Sequence, residues 1–150
     1  MATGSDLVRR ARRYRGTPFA AGGRNAYGLD CGGLILRVAA DLDLAVPAVP
    51  NYHIAFDSGC VTGFLEPFCE RIDLAAGLDL YQGKGILPGD FLVFSLAKGV
   101  QHLGIATGEG TFVHSWDTPS VREVVEIPLD DWWQDRLLSI WRAWELEGTP

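Results

Sequence analysis

The chain has 150 residues, 47% of them apolar and 21% charged, the proportions of one ordinary globular domain. These values exclude a disordered chain, a collagen and a coiled coil, and no apolar run approaches the roughly 18 residues of a membrane span. Thirteen basic against nineteen acidic residues give a net charge of −6, which argues against a nucleic-acid binder held by a basic surface.

The charge is unevenly placed. Residues 1–37 carry seven arginines and two acids, net +5, and residues 38–150 carry six bases and seventeen acids, net −11. Arg9, Arg10, Arg12, Arg13 and Arg15 supply most of the positive part. Such a run reads either as a solvated helix face or as a docking surface for an acidic partner. Eleven arginines against two lysines, with many Ala and Gly, fit a G+C-rich bacterial genome. Met1 to Arg15 has no apolar h-region, so no signal peptide is expected. Three cysteines without a C-x-x-C make neither a disulfide framework nor a zinc ribbon, and leave a single reactive Cys open. One domain over residues 1–150 is expected, without repeats or long linkers.

Ser5 reads as the N-cap of a first helix, with Asp6 in its first turn, running to about Tyr14 and stopping at Gly16. A Gly-rich loop follows from Thr17 to Leu29. Asp30 caps a second helix, Cys31 to Asp41, whose apolar residues Leu34, Ile35, Val38 and Leu42 have core-facing spacing. Gly32 and Gly33 in its first turn each cost about 1 kcal/mol against Ala, so something approaches the backbone there. Between Val46 and Leu87, short helices are predicted around Asn51–Ser58 and Phe64–Glu70. Five strands follow: Phe91–Leu96, His102–Thr107, Thr111–Trp116, Val121–Ile127 and Leu138–Leu146, with a short helix at about Leu129–Arg136. Their hairpin-length turns imply an antiparallel meander, and helices followed by such a sheet make an α+β fold.

Cys31 falls at a helix start, where unsatisfied N–H groups and the macrodipole favour a thiolate. A nucleophilic thiol needs a base nearby, most often His. The chain has His53, His102 and His114. If Gly108-Glu109-Gly110 is a three-residue hairpin loop, paired positions sum to 218. His102 then faces Trp116, and His114 is its diagonal neighbour on the same face. That register suits a base and the group that orients it, although a buried Cys and structural histidines would show the same spacing.

Six stretches resemble one family. They are Tyr14-Arg15-Gly16-Thr17-Pro18-Phe19, then Gly22-Gly23 and Gly28-Leu29-Asp30-Cys31-Gly32-Gly33-Leu34, then Pro88-Gly89-Asp90-Phe91 with Gln101-His102-Leu103-Gly104-Ile105 and Phe112-Val113-His114. In this order they resemble the motifs of the NlpC-type cell-wall endopeptidases, over roughly residues 5–145. The resemblance implies a papain-like α+β fold, with N-terminal helices on an antiparallel sheet of five to six strands. It implies Cys31 as nucleophile, His102 as general base and His114 as the group orienting it. It further implies cleavage of peptidoglycan stem peptides, usually between γ-D-glutamate and the diamino acid, through a Cys31 thioester with no cofactor. The backbone N–H of Cys31 would stabilise the oxyanion.

Two positions depart from the family pattern. Many members carry Tyr twelve residues before the nucleophile, where this chain has Phe19, and one lost oxyanion donor costs about 10²–10³ in rate. The common Ser after the nucleophile is Gly32. Asp30 reads as a helix cap or as a substrate contact, and Gly32 and Trp116 as further substrate contacts. Arg24, Tyr27 and Asp117 line the groove or are ordinary surface. Trp132, Trp133, Trp141 and Trp144 read as packing, His53 as structural, and Cys60 and Cys69 as reduced and semi-buried, with no metal site. Compact leaderless members of this type resemble those of phage tails and gene transfer agents, which implies tail-tip or baseplate partners and local wall penetration from a particle. The competing readings are a related Cys–His amidase and a structural tail component that keeps the peptidase fold.

Overall fold

The computed structural model describes residues 1–46, 64–72 and 85–146, with Lys98 described by its backbone alone. The expected helix at Asn51–Ser58, together with His53 and Cys60, lies outside these residues. Helix α1 spans Gly4–Arg13. Its cap is Thr3 rather than Ser5. Thr3 Oγ1 accepts the Asp6 N–H at 3.1 Å and the Asp6 carboxylate accepts the Thr3 N–H at 2.9 Å, a capping box that satisfies two orphan donors at once. Only glycine fits at the first position, because a Cβ on Gly4 would lie 1.9 Å from the Pro88 carbonyl oxygen. The short hairpin β1 (Arg24–Asn25) and β2 (Gly28–Leu29), unpredicted from sequence, leads into α2, Cys31–Asp41.

The remaining strands form one antiparallel sheet. They are β3 (Cys69–Ile72), β4 (Phe91–Ser95), β5 (Gln101–Ala106), β6 (Thr111–Asp117), β7 (Arg122–Pro128) and β8 (Leu137–Ala143), in the order β3-β8-β4-β5-β6-β7. A short helix α3, Asp131–Gln134, precedes β8. This is the α+β architecture expected from the sequence. Where a helix was expected at Phe64–Glu70, only Phe64 and Leu65 are helical, and β3 begins at Cys69. Pro67 breaks the helix, and β3 pairs along β8 from Cys69–Ala143 to Ile72–Ile140.

Both faces of the sheet are covered. On one face Phe91, Val93, Leu103, Ile105 and Val113 pack against Leu7 of α1 and Leu34, Ile35 and Val38 of α2. On the other, Leu92, Phe94, Ala106, Phe112 and Ile140 pack against Trp133. Trp133 and Trp141 are packing residues as expected, but Trp132 and Trp144 are 47% and 61% exposed. The arginine run turns largely onto the protein's own acids. Arg12 binds Glu126 at 2.8 Å, Arg15 binds Glu126 at 3.5 Å, Arg10 reaches Asp41 at 3.9 Å, and Arg9 pairs with Asp6.

Asp90 is buried and ion-paired. Arg142 Nε and Nη2 donate to its two oxygens at 2.7 and 2.8 Å, and the Leu87 N–H adds a third bond at 2.8 Å. Gly89, in front of it, has φ +90°, and a Cβ there would strike Gly4 at 2.9 Å. The Gly-Asp pair therefore locks the start of β4 to α1 and β8.

Candidate active site

The loop before α2 is stitched to the sheet edge. Gly16 N–H donates to Val124 O and Phe19 N–H to Arg122 O, and Val124 N–H returns a bond to Thr17 O, each at 2.9 Å. Ser115 Oγ, on β6, holds the Leu29 carbonyl at 2.6 Å. Asp30 Oδ1 accepts the Gly33 N–H at 2.7 Å and Oδ2 the Gly22 N–H at 2.9 Å. The capping role of Asp30 is thus visible, and its carboxylate ties the loop to the helix. The close approach inferred from Gly32-Gly33 is also visible: a Cβ on Gly33 would sit 1.8 Å from Gly23 O. Gly32 is buried in the same turn.

The hairpin between β5 and β6 has the expected three-residue loop. Thr107 N–H donates to Thr111 O at 3.1 Å, and Ala106–Phe112 and Ile105–Val113 pair in the register summing to 218. Beyond Ile105 the two strands do not pair. In a regular ladder the Leu103 N–H would donate to Ser115. Instead it lies against the Cys31 sulfur, as do the N–H groups of Cys31 and Gly32. The thiol therefore enters from the helix side at the point where the sheet parts.

His102 and His114 share one face of the sheet, and His102 Nε2 lies 2.6 Å from His114 Nδ1. Trp116 stands beside them, its ring 4.8 Å from His102 and 5.4 Å from His114. Cys31, His102 and His114 are all buried, and Trp116 half-buried. Cys31 and His102 share no hydrogen bond in this state, but the thiol rests on the backbone of Leu103, the residue after His102. Tyr27 is 91% exposed, and Asp117 pairs with Arg122 at 3.9 Å on the surface. Among the described residues no group of three or more His, Cys, Asp or Glu is placed to hold a metal.

Burial dominates the electrostatics. The Cys31 thiol is pushed up to about 12, first by loss of solvent and then by the Asp30 carboxylate, against the pull of the three N–H groups. This reverses the expectation of a lowered thiol, because a helix terminus offsets only part of the cost of burying a thiolate. Burial pushes both imidazoles well below their ordinary value, and His102 lowers His114 further. At neutral pH the three side chains are a thiol and two uncharged rings.

The sequence model of the NlpC/P60 family matches residues 16–142, which include all three. This chain belongs to the NlpC/P60 family. Its NlpC/P60 fold resembles a family member from Bacillus cereus ATCC 10987 (TM-score 0.67, 20% identity), covering 94% of this chain and 40% of that one. It also resembles the NlpC/p60 domain of the peptidoglycan hydrolase SagA (TM-score 0.62, 22% identity), covering 93% and 97%. A third relative in fold is RipD of Mycobacterium tuberculosis, described as a non-catalytic NlpC/p60 protein adapted to peptidoglycan binding (TM-score 0.56, 17% identity), covering 92% and 94%. This NlpC/P60 chain thus spans less than half of the first of these and nearly all of the other two. No curated protein matches it.

Proposed function

We propose that this chain is a cysteine endopeptidase acting on peptidoglycan stem peptides, with Cys31 as nucleophile, His102 as general base and His114 as its orienting partner. What supports the reading is an imidazole pair joined at 2.6 Å on β5 and β6, with the helix-start thiol of Cys31 against the backbone of Leu103, the residue after His102. His102 Nε2 is engaged by His114, so Nδ1 is the nitrogen left to take a proton. Because the resting groups are uncharged, the thiol proton moves to His102 Nδ1 as the sulfur attacks the amide carbonyl. The backbone N–H of Cys31 stabilises the oxyanion. The proton then passes to the leaving amine, the C–N bond breaks, and water hydrolyses the Cys31 thioester.

Cleavage between γ-D-glutamate and the diamino acid, and service in a tail-like particle that opens the wall from outside, are the finer parts of this proposal. The first rests on the motif resemblance and the second on an analogy of architecture. Asp30, Gly32 and Trp116 border the groove in this reading. A second reading, a wall-binding module without catalysis, is favoured by the protonated buried thiol and by the likeness to RipD. Mass spectrometry of defined muropeptides incubated with wild type and with Cys31→Ala separates the two. Fragments ending at γ-D-glutamate from wild type alone are the expected result. Intact muropeptides from both, with binding retained, would leave the second reading standing.

A further inference from the structure

The imidazole pair faces away from α1 and α2, so the helices that bury the other face cannot exclude water from it. Trp133 does. Its indole lies 5.3 Å from the His114 ring, 5.8 Å from His102 and 5.3 Å from Trp116, and meets Phe94 at 4.9 Å and Phe112 at 5.1 Å. Its place is set by Asp130, which caps α3 by accepting the Trp133 N–H at 3.2 Å. On the outside, Trp132 meets it edge-on at 4.8 Å, and the Arg136 guanidinium stacks 3.7 Å over Trp132.

A second observation concerns one nitrogen. His114 Nε2 is buried and has no hydrogen-bond partner among the described residues. The His114 ring meets Trp133 at 84°, edge to face, an arrangement that lets a ring N–H point into an aromatic face. We propose that Trp133 is a positioning residue for the histidine pair: its indole shuts water out from behind and takes the His114 Nε2–H on its π face, fixing the tautomer of both rings. With that proton held, His114 Nδ1 is an acceptor, His102 Nε2 must donate to it, and His102 Nδ1 keeps the lone pair. The catalytic meaning of this relay rests on the proposed role of His102, but the tautomer assignment does not.

Burial, with His102 beside His114, sets the rings' charge. The titratable groups on the surrounding elements include Cys31 and Asp30 at the start of α2, Glu123 opposite Trp116 on β7, and Asp130 and Asp131 at the start of α3. The strand β4 presents only Leu92 and Phe94.

The test is ring-nitrogen NMR of the ¹⁵N-labelled full chain across pH 4–8, for wild type, Trp133→Leu and Trp133→Phe. Wild type should show one His114 tautomer, protonated at Nε2, with both rings uncharged above about pH 5. Trp133→Leu should show mixed tautomers and ring titration midpoints raised by about one unit or more. Trp133→Phe, which keeps a π face, should stay close to wild type. His114 protonated at Nδ1 in wild type overturns the proposal whether or not either variant folds. So does a folded Trp133→Leu with unchanged tautomer and midpoints. The acid limb of kcat/KM on muropeptides should move up with the same variant. Wild type that cleaves nothing while its His114 tautomer is fixed would sink the peptidase reading and support this one.

Discussion

Arg142→Met isolates the buried ion pair at the start of β4. The substitution keeps the apolar stem and removes two charge-assisted bonds, at 2.7 and 2.8 Å, leaving the Asp90 carboxylate with only the Leu87 N–H. Asp90 is 1% exposed, so water cannot replace the guanidinium. Breaking one side of such a pair costs about 3–5 kcal/mol. At this chain length each kcal/mol lowers Tm by about 2–4 °C, so the expected fall is about 6–20 °C. Burial already raises the Asp90 carboxyl above 3.8 while Arg142 pulls it down, and without Arg142 it rises further. A carboxyl raised in the folded state favours folding below its unfolded value and loses that advantage as pH climbs through the folded one. The penalty of Arg142→Met should therefore be largest at pH 7 and shrink toward pH 4. Urea unfolding followed by circular dichroism at both pH values measures it. Adding Asp90→Asn to the same background should restore part of the stability at pH 7. A penalty under about 1 kcal/mol, the worth of a surface pair, or one independent of pH would refute a buried charge held by Arg142.

Two further outcomes follow from the site itself. With its thiol near 12, against 9.0 for an ordinary one, Cys31 should hold about a thousand-fold less thiolate at pH 7. Its alkylation by iodoacetamide should then rise about tenfold per pH unit through pH 10, and a plateau below pH 8 would mean that the resting pair is already ionised. Gly33→Ala places a methyl 1.8 Å from Gly23 O and should cost about 3 kcal/mol or more by thermal melt. If the variant melts like wild type, the loop does not hold this contact.

The meander from Phe91 to Pro128 was legible because its strands alternate and its turns are short; β8 also forms within a few residues of its predicted ends, but it returns beside β4 instead of extending the meander. The shared face of His102 and His114 was legible for one reason, the odd loop length at Gly108–Gly110, which sets the register. What could not be read depends on contacts distant in sequence. Asp90 and Arg142 lie 52 residues apart. The strand β3 exists because β8 offers it an edge, against the local helical spacing of Phe64, Leu65 and Phe68. Cys31 shows the limit most clearly. Its place at a helix start is local and argues for a lowered thiol, whereas its burial comes from β5 and β6 and wins. Trp133 looked like ordinary packing, since nothing in its own segment says that it would land on the imidazoles.

The parting of β5 and β6 sets an order in time. The sulfur belongs to the first quarter of the sequence, whereas His102, His114 and Trp133 are all translated later. A half-made chain therefore carries Cys31 as an ordinary solvated thiol, open to oxidants and electrophiles. Closing the fold raises that thiol and silences it. Maturation in this protein quietens the thiol, so the proposed attack begins with a proton transfer made inside the folded site.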